Sequence, residues 1–204
     1  MPVRFKRPLI LASGSPRRRQ LLTDAGYSFE IITPSESAEC GVCSGESPPE
    51  LVARLAYQKA VDIATRVGPS LIIACDTMAE CHGQVLGKPR DEDHARSMLT
   101  LLSGREHRVY SGLCVWLVPE SEPFVEVACT KLRMDTLTQS QLDEYLATNL
   151  WEGKAGAFGY QDGFDWLHVT EGSESNVVGL PMELLEKMLE KVAVKWDLHE
   201  EAHA

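Results

Sequence analysis

Short unbroken apolar runs alternate with series spaced i, i+3, i+4, which predicts interspersed strands and helices and a mixed α/β fold. Pro8 to Ala12 reads as a short buried strand, followed by a Ser-Gly-Ser-Pro turn. A helix follows from about Pro16 to Ala25, with Ser15 as its N-cap, Pro16 as its first residue and Gly26 as its stop. Leu21, Leu22 and Ala25 supply its inward face. Ser47-Pro-Pro-Glu50 is a capping box that opens a helix to about Val67. On that helix Leu51, Leu55, Lys59 and Ile63 share one i, i+4 line. A lysine there either snorkels to solvent or aims its cation into a cleft, and the pattern leaves both open.

Further along, Leu71 to Cys75 predicts a second buried strand that ends at Asp76-Thr77. A hairpin turning at His82-Gly83 leads to Val85 and Leu86. Asp91 to Leu102 predicts a helix with acids in its first turn, ended by Ser103-Gly104. Two long strands, His107 to Val118 and Phe124 to Met134, come next, and Thr138 to Gln141 cap a helix to Thr148. Gly153 to Gly163 is a glycine-rich loop, Phe164 to Thr170 a strand, and Pro181 starts the last helix. Residues 1–195 are expected to form one domain and 196–204 an acidic tail.

Composition narrows the function. A chain of 204 residues needs no disulfide or metal scaffold to fold. Its net charge of −10 argues against a nucleic-acid or anionic-membrane binder, since a polyanion needs a wide cationic surface. A local cluster of Arg and Lys can still hold a few phosphates. No apolar run approaches the ~20 residues of a membrane span. The apolar stretch after the basic start is shorter than the roughly 7–15 residues of a signal-peptide core, so a cytoplasmic location is expected. Cys114 and Cys129 lie in strand-like runs and are expected to pack as small hydrophobes. Cys40 and Cys43 form a lone CxxC with no second half, so reduced thiols are preferred over zinc.

The most informative segment is Ser13-Gly-Ser-Pro-Arg17-Arg18-Arg19, which joins a strand end to a helix N-terminus. The first N–H groups of a helix face outward with partial positive charge. Cations in that turn oppose the helix dipole, a local cost that a bound anion relieves. Asp76-Thr77 stands where α/β folds line their ligand crevices, and its carboxylate can bind a divalent cation or activate water. Gly87-Lys88-Pro89 fixes a lysine at a strand end. In Lys154-Ala-Gly-Ala-Phe-Gly-Tyr-Gln161, small residues permit close backbone approach while Lys154 and Gln161 offer donors. Glu36 and Glu39 lie in a loop. Phosphoryl chemistry needs this mixture, cations for the polyanion and acids for metal and water.

Leu9 to Arg18 resembles the signature opening of Maf proteins, nucleotide pyrophosphatases once described as septum-formation inhibitors. Arg54-Leu-Ala-x-x-Lys59-Ala, Cys75-Asp-Thr77, Leu86-Gly-Lys-Pro89, Leu102-Ser-Gly104, Lys154-Ala-Gly-Ala-x-Gly159 and Asn176 to Pro181 match in family order. The resemblance implies an elongated, mixed-sheet, ITPase-like α/β fold with two lobes around a central cleft, often dimeric. It implies hydrolysis of a nucleoside triphosphate to the monophosphate and pyrophosphate with Mg²⁺ or Mn²⁺. Carried over residue by residue, Asp76 is the general base or the metal-linked activator of water, and Asp76 and Glu39 are the residues for the metal. Ser13, Arg17, Arg18, Lys59 and Lys88 hold the phosphates. Arg17, Thr77 and Gln161 match the positions that tune base choice, in the combination of the dTTP and UTP branch. CTP and modified pyrimidine nucleotides are neighbouring substrates. A nucleotide-binding regulator of septum formation and a 7-methyl-GTP enzyme are the alternatives. The acidic loop reads Glu36-Ser-Ala-Glu39, one residue longer than the family pattern, and Cys75 replaces a common alanine.

Overall fold

A computed structural model describes residues 5–39 and 45–198, without the side chain of Glu39. Cys40, Cys43 and residues 199–204 of the acidic tail lie outside the described residues. The strands are β1 (Leu9–Ala12), β2 (Glu30–Ile31), β3 (Ser70–Cys81), β4 (Gln84–Leu86), β5 (Glu106–Val118), β6 (Phe124–Met134) and β7 (Leu167–Glu171). The helices are α1 (Pro16–Asp24), α2 (Pro48–Ala64), α3 (Glu92–Leu102), α4 (Gln139–Ala147), α5 (Glu174–Val178) and α6 (Met182–Trp196). One mixed sheet has the order β2-β1-β3-β5-β6-β7, with β4 beside β3. The mixed α/β class expected from the sequence is therefore the observed one.

The chain divides into two compact units. The first holds Met1–Asp76, Ser111–Ala128 and Gly179–Ala204, and the second Thr77–Tyr110 and Cys129–Val178. In the first unit β1 runs parallel to β3, with Leu9 opposite Leu71 and Ala12 opposite Ala74. Both faces of these strands are covered, which is why they read as unbroken apolar runs. Leu9, Leu11, Leu71, Ile73 and Cys75 pack with α6 through Leu185, Met188 and Leu189. Ile10, Ala12, Ile72 and Ala74 pack with α2 through Ala56, Ala60 and Ile63. Gly112 of β5 lets α2 approach, since a Cβ there would lie 2.0 Å from the Val52 carbonyl oxygen. In the second unit α3 and α4 cover Ala79, Leu132 and Met134 with an aromatic group of Tyr145, Trp151, Phe158 and Trp166.

The local signals work as the sequence predicts. Ser47 donates from its N–H and Oγ to Glu50, and Thr138 and Gln141 form a second capping box. Asp91 accepts from the His94 N–H and caps α3. Cys81 pairs with Gln84 across a two-residue turn whose His82 and Gly83 both have positive φ. Five expectations need correction. Ser15 stands at the N-cap of α1 without a side-chain cap bond, and Ala25 is exposed because α1 ends before it. The strand begun at Ser70 does not stop at Cys75 but runs through Asp76 and Thr77 to pair Ala79 with Leu86. Strand β7 starts at Leu167 rather than Phe164. Cys129 is exposed, since strand alternation turns it outward and buries Thr130, whereas Cys114 is buried and its thiol is pushed up to about 12.

Gly112→Ala is expected to lower stability by about 3 kcal/mol, because backbone meets Cβ and α2 must shift. Urea denaturation checks this. His107 is buried edge-on against Phe158, and burial drives its pKa down to about 4, outweighing the Arg105 backbone and the Glu80 charge. The unfolded chain binds that proton near pH 6.5, so the protein binds fewer protons folded than unfolded between these values. Its contribution is whole above about pH 6.5 and disappears as pH falls to 4, a loss of about 3 kcal/mol. Unfolding followed against pH should show this slope, and His107→Leu should flatten it.

Candidate active site

Along β3, even-numbered residues face α2, so Asp76 follows Ile72 and Ala74 onto that side. On α2, Lys59 follows Leu55 on its buried line and meets the aspartate there. Lys59 is 5% exposed and Asp76 8%. The Lys59 Nζ donates to Asp76 Oδ1 at 2.6 Å. Asp76 Oδ2 is buried with no hydrogen-bond partner. The lysine therefore does not snorkel, and its cation serves the carboxylate.

Strands β1 and β3 share their last registered pair at Ala12 and Ala74, so Ser13 and Asp76 lie one and two residues past that level. This is the carboxyl end of parallel strands, where α/β folds place ligands. Ser13 is buried, and its Oγ accepts from the Ser15 N–H at 3.2 Å and from Arg18 Nη1 at 3.2 Å. Both acceptor positions of that hydroxyl are thus taken, leaving its proton to be donated. Arg18 also donates from Nε to the Gly179 carbonyl at 2.7 Å. The same carbonyl accepts from Cys75 Sγ at 3.4 Å. Arg18 and Cys75 brace the approach to α6 against α1 and β3, a use of both residues that the sequence did not signal. Arg17, at the second position of α1, is partly exposed.

Glu36 to Glu39 form a 3₁₀ turn. The loop before it is tied to α2, since Asp62 accepts from the Ser35 N–H at 3.0 Å and Oγ at 2.7 Å. Those two bonds, ahead of the Arg66 guanidinium, hold the Asp62 carboxyl below its ordinary range. The side chain of Glu39, expected as a metal ligand, lies outside the described residues.

In the second unit Thr77 is partly buried on β3, while Lys88 and Gln161 are exposed. The structure joins the segments of the latter two, because the Gly156 N–H donates to the Gly87 carbonyl at 3.0 Å. Gly156 has φ +70°, and a Cβ there would press on Phe158 and Ala79. Lys154 differs from expectation. Its ammonium is not offered outward but bonds Asp162, which also accepts from the Tyr145 hydroxyl at 2.8 Å. Sequence reasoning passed over Asp162, and only its place next to Gln161 could have drawn notice.

A family model described as Maf-like protein matches residues 8–192. The chain is 57% identical over 183 residues to a dTTP/UTP pyrophosphatase of Rhodopirellula baltica, covering 89% of this chain and 81% of that one. It is 38% identical to the dTTP/UTP pyrophosphatase of Clostridioides difficile, covering 90% and 94%. It is 41% identical to that of Carboxydothermus hydrogenoformans, covering 89% and 96%. The solved structure of the Staphylococcus aureus Ham1 protein aligns with a TM-score of 0.52 at 15% identity, covering 91% of this chain and 100% of that one. That likeness shows the fold alone.

Lys59→Met is expected to cost about 3–5 kcal/mol, because it leaves the Asp76 charge buried without its partner. Adding Asp76→Leu should recover most of that loss, and chemical denaturation of the single and double variants measures it.

Proposed function

The chain belongs to the Maf-like protein family, and from that premise we propose that it hydrolyses dTTP and UTP to the monophosphate and pyrophosphate. The observation that carries the mechanism is the half-satisfied Asp76 carboxylate, with Oδ1 on Lys59 and Oδ2 buried and unpartnered. The named relatives support the substrates, and they do not favour a septation regulator or a 7-methyl-GTP enzyme. CTP and modified pyrimidine nucleotides remain substrates to compare.

Water attacks the α-phosphorus, the bond from that phosphorus to the α–β bridging oxygen breaks, and pyrophosphate leaves with the bond's electrons. Asp76 Oδ2 takes the proton of the attacking water, while Lys59 fixes the carboxylate orientation through Oδ1. Ser13 donates its remaining hydroxyl proton to a phosphate oxygen. Arg17, Lys88 and the N-terminus of α1 add positive potential for the triphosphate. Arg18 contributes charge and holds Ser13 in place.

Among the described residues no group of three His, Cys, Asp or Glu side chains forms a metal cage. Mg²⁺ needs none, because it is commonly held by one or two carboxylates with substrate phosphates and water. The orphaned Asp76 Oδ2 fits such a ligand as an alternative to acting as the base itself, and Glu39 is the second candidate. When bound, Mg²⁺ or Mn²⁺ neutralises charge on the phosphate oxygens. Thr77 and Gln161, with Arg17, read the base by hydrogen bonding, which rejects analogues that leave a polar partner unmet.

No helix among the described residues is long and apolar enough to cross a membrane. A cytoplasmic enzyme acting on small molecules rather than nucleic acid, as a homodimer, completes the proposal.

Asp76→Asn is expected to lower pyrophosphate release from dTTP by about 10²–10⁴-fold, with the fold retained by circular dichroism. An unchanged rate would remove Asp76 from the chemistry. Wild-type protein releasing no pyrophosphate from dTTP or UTP with Mg²⁺ or Mn²⁺ would remove the whole reading.

A further inference from the structure

We infer that Asp162 is a positioning residue that presents Gln161 to the base, a role that rests on the base-reading proposed for Gln161. The carboxylate of Asp162 is nearly buried and fully engaged. Oδ1 accepts from Lys154 Nζ and Oδ2 from the Tyr145 hydroxyl at 2.8 Å. Its N–H donates to the Gly159 carbonyl at 3.1 Å. A Cβ on Gly159 would lie 2.5 Å from Lys154 Nζ and 2.6 Å from both Asp162 oxygens, so the knot closes on bare backbone. Tyr145 is itself immobilised, packed edge-on against Phe164 and Trp166 at ring separations of 5.0 and 5.5 Å.

On the other side of Gln161, the Tyr160 hydroxyl donates to Glu174 Oε1 at 2.8 Å. Both neighbours of Gln161 are therefore tied to separate helices, Tyr160 to α5 and Asp162 to α4, while Gln161 is exposed. A glutamine with a free side chain on a loop would lose its rotamer freedom on every binding event. Fixing the backbone on either side removes part of that cost in advance and sets the direction from which the amide meets a base. An ion pair of this kind that served stability alone would not need to flank a residue expected to discriminate between bases.

The test compares kcat and KM for UTP and CTP, which share the sugar and differ at the base edge. The proteins are wild type, Gln161→Ala, Asp162→Asn, Tyr145→Phe and Gln161→Ala with Asp162→Asn. Asp162→Asn should lower the UTP over CTP preference about 10-fold, chiefly through the KM for UTP. Tyr145→Phe keeps the aromatic packing and should lower the preference in the same direction by a smaller factor. In the Gln161→Ala background, Asp162→Asn should change the preference no further. A preference intact in both Asp162→Asn and Tyr145→Phe, or one that falls equally with and without Gln161, overturns the positioning role alone. A preference untouched by Gln161→Ala overturns the base-reading of Gln161, and the role of Asp162 falls with it.

Discussion

The functional reading of the first unit turns on one buried ion pair, Lys59 with Asp76. Two charges taken out of water cost several kcal/mol each, and their attraction returns this only when hydrogen bonding is complete. Here it is incomplete, because Asp76 Oδ2 has no partner. A buried acceptor left unsatisfied costs about 1–3 kcal/mol. Apolar side chains of similar size would hold α2 on the sheet at least as well. The pair is thus poorly explained as a stabilising device, and its open oxygen is the observation behind the role proposed for Asp76.

In a chain of net charge −10, two arginines nevertheless sit where a helix least favours them. Arg17 and Arg18 occupy the first turn of α1, where the helix dipole opposes them, and no acid in that turn relieves the cost. Arg18 recovers part of it by bonding Ser13 and the Gly179 carbonyl. Those bonds also leave the Ser13 hydroxyl with a proton to give. The same residue therefore serves architecture and polarity at once, and its two bonds make it more than the plain phosphate ligand that family likeness alone implies.

How much of this is legible in the sequence depends on the range over which each feature is decided. Capping boxes, the His82-Gly83 turn and the acidic first turn of α3 are settled within a few residues, and the sequence predicts them. The length of β3 is settled by its partner β4, so the end of the apolar run at Cys75 misleads. Helix α5 is five residues long and fully buries only Asn176, with Val177 partly buried beside it, which leaves no periodicity to read. Lys59 shows its buried position by spacing, but whether it snorkels depends on an acid 17 residues away. Asp162 gives no local signal, because its partners are Tyr145 in a helix and Lys154 before a 3₁₀ turn.

Two lysine–aspartate pairs of similar burial now stand for comparison, Lys59 with Asp76 and Lys154 with Asp162. Charge and exposure do not separate them, and a sequence reading that weighs residue types expects both lysines to offer their cations to a ligand. The second carboxylate oxygen does separate them. In Asp162 it accepts from Tyr145, and the turn closes so tightly that Gly159 has no room for a side chain. In Asp76 it is empty-handed on a strand of the sheet, two residues past the last register of parallel strands. A satisfied carboxylate resists any change in protonation or ligation, because each of its bonds would have to be given up. An unsatisfied one gains by accepting a proton or a cation. Hydrogen-bond completeness rather than charge is therefore what supports the chemical role proposed for Asp76 and the scaffolding role inferred for Asp162.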